Sequence, residues 1–227
     1  MTTPFKKNEQ IVARTRVKMC GFTRSEDIVS AVALGADAIG FVFYPKSKRC
    51  LSLAQAKVLR QSVPAFVQCV ALFVNAKPAF VRQVLQQVQP DLIQFHGEES
   101  VAYCESFKHP YIRAFRVGAP GMDTPAALWQ SCQQYAQAKG WLFDSYSPSY
   151  GGSGLSFDDA LLSTVHQQPS HTRPPLILAG GITHDNAQLK IMQHQPFALD
   201  ISSTIETAPG LKDQQKMTTF MQQLVRF

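Results

Sequence analysis

The sequence predicts an α/β protein built as a single-domain (β/α)8 TIM barrel. Three observations carry that prediction. Eight short apolar runs alternate with eight segments of helical period. The 227 residues, 45% of them hydrophobic, suit one packed unit of this kind. Polar and glycine residues gather where the apolar runs end, the face at which such barrels carry their chemistry. A doubly wound open sheet is the rival arrangement for the same alternation.

The elements follow in order. A strand over 16–20 leads to a helix over 23–34, with Thr23 and Ser25 as candidate caps and Gly35 as its stop. Strands over 38–43 and 68–74 precede helices over 53–61 and 78–88. Strands over 92–95 and 111–117 precede helices over 100–107 and 125–138, and Gly140 reads as a second helix stop. The last three strands, 141–144, 176–179 and 197–201, precede helices over 157–165, 186–192 and 213–224. Most runs are rich in Val, Ile, Leu and Phe, as strands buried on both faces should be. Segments 118–124 and 167–175 read as surface loops. Residues 1–15 are polar and basic and lack the apolar core of a secretion signal. They are expected to be a leader outside a barrel domain over 16–227.

Composition narrows the function. The net charge is +6, but the basic residues are scattered, and the one dense run, Lys46-Ser47-Lys48-Arg49, is short. That favours a small anionic substrate over nucleic acid. No apolar run approaches the roughly 18 residues of a membrane span. The five cysteines are odd in number and form no CxxC pair, which suits free thiols in a reducing cytoplasm rather than disulfides or a zinc site. No cofactor fingerprint or metal-ligand cluster is read from the chain. Monomer and homodimer are both left open.

Side chains alternate along a strand. If Val17 and Met19 face the helices, Lys18 and Cys20 face the barrel interior. Likewise Leu142 and Asp144 face inward if Trp141 and Phe143 face out. Cys20 and Asp144 end the first and sixth strands, three places apart on a ring of eight. A thiol and a carboxyl so placed suit a base and an acid working on opposite sides of one substrate. A thiol with its ordinary pKa of about 8.5 is a poor base at neutral pH, so its thiolate must be favoured; Lys18, one layer deeper, is a candidate helper. Each residue alone has a plainer reading, the cysteine as a small buried hydrophobe and the aspartate as a loop cap. The pairing of the two is what argues for chemistry.

The loops after strands seven and eight form the usual phosphate cradle of such barrels. Here they carry Gly180-Gly181 and Ser202-Ser203, close-approach backbone and hydroxyl donors. Gly152, Ser153 and Gly154 lie in a glycine-rich loop that either closes on a phosphate or turns in solvent. Arg49 offers a planar fork to a substrate carboxylate, although a surface arginine is the commoner role. His96 either orients substrate or hydrogen-bonds the backbone, the second being favoured.

Together these stretches resemble the phosphoribosylanthranilate isomerase family. The matching segments are 17–23, 35–49, 94–99, Phe143-Asp144 with 151–154 and Phe157-Asp158, 179–182, and 200–203 through Glu206, Pro209-Gly210 and Lys212-Asp213. They occur in the family's order over about residues 16–225. The resemblance implies a cofactor-free barrel that performs the Amadori rearrangement of N-(5-phosphoribosyl)anthranilate, the third step of tryptophan synthesis from chorismate. It implies Asp144 as general acid on the ribose ring oxygen and Cys20 as general base on the C2 proton. It gives Arg49 the anthranilate carboxylate, Asp200 the ribose hydroxyls, and Gly152–Gly154, Gly180, Gly181, Ser202 and Ser203 the phosphate. Two departures stand out: Ser153 where many relatives have threonine, and Asp159 where many have tryptophan. Alternatives are another phosphate-binding barrel enzyme, whose lysine acid would have to be the deep Lys18, and a non-catalytic phospholigand holder.

Overall fold

The structure, a computed structural model, describes residues 14–147 and 156–224. Its core is a closed barrel of eight parallel strands in sequential order. The strands are β1 (Arg16–Cys20), β2 (Ala38–Val42), β3 (Gln68–Phe73), β4 (Leu92–Phe95), β5 (Tyr111–Val117), β6 (Gly140–Ser145), β7 (Leu176–Leu178) and β8 (Ala198–Ile201). Pairing of β1 with both β2 and β8 closes the ring and excludes the open sheet. The helices between them are α1 (Ser25–Ala33), α2 (Leu53–Arg60), α3 (Pro78–Val88), α4 (Val101–Glu105), α5 (Pro125–Gln133), α6 (Ser163–His166), α7 (Ala187–His194) and α8 (Gln214–Leu224). Among the described residues no helix is long and apolar enough to cross a membrane.

Alternation along the strands sorts the core into two layers. Outward-facing Val17, Met19, Phe41, Phe73, Phe95, Phe115, Trp141 and Phe143 pack under the helices. Their rings interlock, as where Phe115 stacks on Phe143 and meets Trp141 edge-on. Each such ring contributes about 1.5–3 kcal/mol by leaving water. Inside the ring, Ile112, Ala114, Leu142, Ile177, Ala179 and Ala198 plug the barrel. A second inner set, Cys20, Val42, Leu72 and Val74, forms an apolar cluster with Tyr44 packed against it. The inner plug keeps water from passing through and gives the upper cavity a solid floor.

The structure departs from the sequence reading at several ends. Gly140 is not a helix stop but the first residue of β6; a Cβ there would stand 2.8 Å from Ile177 Cδ1, in the tightly packed inner layer. Neither Thr23 nor Ser25 caps α1. Arg24 holds the N-cap position without a side-chain bond, and the Thr23 hydroxyl instead donates to the Gly210 carbonyl at 2.5 Å. The chain leaves α5 after Gln133 because Tyr135 is held elsewhere. Its hydroxyl donates to the Glu99 carbonyl and its carbonyl accepts the Trp141 indole N–H. The helix expected over 157–165 divides into a 3-10 turn, Asp159–Leu162, and the single-turn α6. Asp159 there forms an ion pair with Lys190 Nζ at 2.6 Å, linking the turn to α7. A short hairpin, β9 (Glu206–Ala208) with β10 (Leu211–Lys212), was not foreseen. All of the expected leader except Arg14 and Thr15 lies outside the described residues.

Candidate active site

At the C-terminal end of the barrel a cavity of about 290 Å³ opens among the strand ends. Cys20 closes β1 and lines it; Asp144 lines it from β6. The closed strand order leaves β7 and β8 between them on one side, so thiol and carboxyl reach one space from different walls. Opposite Cys20 in the β1–β2 register stands Gly40. A Cβ on Gly40 would come within 2.7 Å of Cys20 Sγ, so the missing side chain is what lets the thiol lie where it does.

Asp144 is held on both oxygens. Its Oδ1 accepts the Ser145 N–H at 2.9 Å, and its Oδ2 faces His96 Nε2 at 3.1 Å. On the other side of that ring, Gln94 Nε2 donates to His96 Nδ1 at 3.0 Å. With the Gln94 amide nitrogen on Nδ1, a neutral ring carries its proton on Nε2, on the side of the carboxyl. His96 thus bonds side chains rather than the backbone, which corrects the favoured expectation.

Gly180 reaches the cavity as expected, but it also has a second duty. It takes φ of +72°, and a Cβ there would overlap Ser145 Oγ, lie 2.6 Å from Ser145 N and come 2.9 Å from Asp144 Oδ1. Gly180→Ala must displace the end of β6, which carries Asp144 and Ser145. It is expected to lower kcat/KM at least tenfold and to destabilise the fold by about 1–3 kcal/mol, from backbone strain and overpacking. Steady-state kinetics together with a denaturation curve would check both.

Below Cys20 lies a buried ion pair. Lys18 Nζ donates to both Asp200 oxygens, at 2.7 and 2.8 Å, with both side chains under a tenth exposed. Burial works against the lysine's charge, but Asp200 and Cys20 outweigh it and hold its pKa above the ordinary value. Burial pushes the Cys20 thiol up; Lys18 opposes that, Asp200 adds to it, and Lys212 again pulls down. Removing either cation therefore makes the thiolate harder to form.

The remaining residues are brought to the same cavity with altered partners. Arg49 lines it, yet Nε and Nη2 bind Glu206, leaving Nη1 without a partner among the described residues. Asp200 lines it while paired to Lys18. The Ser202 hydroxyl donates to the Cys20 carbonyl at 3.0 Å, so it ties β8 to β1. Ser203 begins a 3-10 turn, Ser203–Ile205, at the rim. Gly181 also lines the rim, and its carbonyl accepts from Asn186 Nδ2. Gly152, Ser153 and Gly154 lie outside the described residues. The polar cluster after β4 divides: His96 serves the cavity, whereas buried Glu99 accepts from the Asn75 and Gly97 N–H groups and from Arg113 Nη1.

Sequence reasoning missed Gln94 and the Glu206–Lys212 pair as parts of the site. Gln94 was detectable, since it stands two residues before His96 and so shares its face. Glu206 and Lys212 gave no signal beyond their place in a matching segment, because an unforeseen hairpin brings them in.

The family profile described as "PRAI: N-(5'phosphoribosyl)anthranilate (PRA) isomerase" matches residues 17–223. The chain belongs to the N-(5'-phosphoribosyl)anthranilate isomerase family. It is 55% identical over 208 residues to the N-(5'-phosphoribosyl)anthranilate isomerase of Bordetella petrii, covering 92% of this chain and 94% of that one. Its fold matches the phosphoribosyl anthranilate isomerase of Thermotoga maritima with a TM-score of 0.81 at 35% identity, over 92% and 98% of the two chains. It also matches a family structure in complex with reduced 1-(o-carboxyphenylamino)-1-deoxyribulose 5-phosphate, with a TM-score of 0.78 at 32% identity and the same coverage.

Proposed function

We propose that this chain catalyses the Amadori rearrangement of N-(5'-phosphoribosyl)anthranilate to 1-(2-carboxyphenylamino)-1-deoxyribulose 5-phosphate, a step of tryptophan synthesis. The observation that carries the mechanism is the shared cavity, lined by a thiol and a carboxyl from strands three places apart.

In this reading Asp144 protonates the ribose ring oxygen. The bond from C1 to that oxygen breaks, and the anilino nitrogen's lone pair forms a protonated Schiff base. His96 and the Ser145 N–H hold the carboxylate that results. The iminium acidifies the C2 hydrogen, and the Cys20 thiolate removes it to give an enolamine. Protonation at C1 and loss of the C2 hydroxyl proton then give the ketone. No electron leaves the substrate, so no redox partner is consumed. Arg49 meets the anthranilate carboxylate, and Asp200, held by Lys18, contacts a ribose hydroxyl. Gly180, Gly181, Ser202 and Ser203, with the loop of Gly152–Gly154, take the phosphate. The five cysteines are free thiols, which suits a cytoplasmic setting.

The test is a single-turnover assay on freshly made phosphoribosylanthranilate, which follows the decay of substrate fluorescence. Conversion to the deoxyribulose phosphate by the native chain is the expected result. Binding without turnover would leave only a phospholigand holder.

A further inference from the structure

One buried carboxylate beside the cavity takes no part in the reaction as written. Glu206 opens β9, and its side chain is 4% exposed. It accepts from Arg49 Nε at 2.9 Å and Nη2 at 2.5 Å, from Lys212 Nζ at 2.8 Å, and from the Gly210 N–H at 3.1 Å. Lys212 in turn donates to the carbonyls of Cys20 and Ser202. A single carboxylate therefore binds the cavity's arginine and, through one lysine, the ends of β1 and β8.

We propose that Glu206 is a positioning residue for the substrate's aromatic carboxylate, clamping one edge of the Arg49 guanidinium so that the other edge faces the cavity. The inference rests on Arg49 being the carboxylate's partner. Two observations support it. First, the grip uses two of the three guanidinium nitrogens, which fixes the plane of a fork that otherwise has several rotamers to explore. Second, the stem of Arg49 crosses the turn after β1 at Gly21, which takes φ of +86°; any Cβ there would overlap Arg49 Cδ. The path of the arginine is thus built into two separate loops. Burial disfavours the Glu206 charge, but the Arg49 hydrogen bonds and Lys212 outweigh it and keep the group ionised.

The test compares two ligands by equilibrium binding to the full chain: the reduced carboxyphenylamino deoxyribulose phosphate and its phenylamino counterpart without the carboxylate. The native chain should prefer the first by about 30-fold, as a charge-assisted contact warrants. Arg49→Met should abolish the preference. Glu206→Gln should cut this preference about tenfold, a loss through Lys212 that falls on both ligands alike cancelling in the ratio, and should change the preference no further in the Arg49→Met background. Glu206→Asp, which keeps the charge but shortens the reach, should give an intermediate preference and serves if the glutamine variant does not fold. Equal weakening of both ligands, or an additive loss in the double variant, would overturn the proposal. If Arg49→Met itself keeps the preference, the reading of Arg49 fails first, and the role of Glu206 falls with it.

Discussion

Cys20→Ala is expected to lower kcat/KM by about 10³-fold while binding of a product analogue stays within a few-fold. In transition-state terms that is about 4 kcal/mol. Alanine fits the site, since Gly40 opposite already leaves space. The Lys18–Asp200 pair beneath keeps its bonds. What disappears is the thiol proposed to take the proton from carbon. Cys20→Ser should be nearly as inactive, because a hydroxyl ionises far less readily than a thiol. The pH profile carries the sign. Burial sets the thiol above its ordinary pKa, so in Asp144→Ala, where the carboxyl no longer titrates, the residual kcat/KM should climb with pH as the thiolate forms. Lys18→Met removes the largest opposing influence and should move that climb to higher pH. A flat profile, or full activity in Cys20→Ala, would remove the thiol from the mechanism.

Asp144→Asn should cost a similar factor, about 10³-fold, and the loss should fall on kcat rather than KM. The amide offers no acidic proton to the ring oxygen. It also cannot satisfy both present neighbours. The Ser145 N–H and the His96 Nε2–H each point at a carboxyl oxygen, so one amide orientation or the other sets N–H against N–H. Asp144→Ala avoids that conflict and should be no more active. If it were, the carboxyl would be a structural cap, the plainer reading of a strand-end aspartate. Single-turnover rates under saturating substrate separate the two cases.

The barrel was legible because its signal is repetitive. Val17 and Met19 against Lys18 and Cys20, and Phe143 against Asp144, obey the same period of two, and the structure puts each on the expected face. Helix ends were less legible. Tyr135 belongs by pattern to a continuing helix, yet its hydroxyl and carbonyl are claimed by Glu99 and Trp141, partners distant in sequence. In the site, residues that end strands were visible, and residues that hold them were not. Glu206 comes from a hairpin too short to have a period, and its partner Arg49 is 157 positions away. Gly40 and Gly180 hide for a different reason. A sequence shows a glycine, but not the thiol or carboxyl that needs the vacancy beside it.

Those vacancies limit how the pocket can be remodelled. On the sides of Gly21, Gly40 and Gly180 the walls cannot grow inward, since even a methyl group collides with Arg49, Cys20 or Asp144. The apolar wall of Val42, Leu72 and Val74 has no such restriction. Trimming it would enlarge the chamber and loosen the packing beside Cys20, which belongs to the same cluster. Selection or engineering toward a bulklier amine on the same sugar phosphate would therefore have to work through β2 and β3, leaving the glycines as a frozen frame.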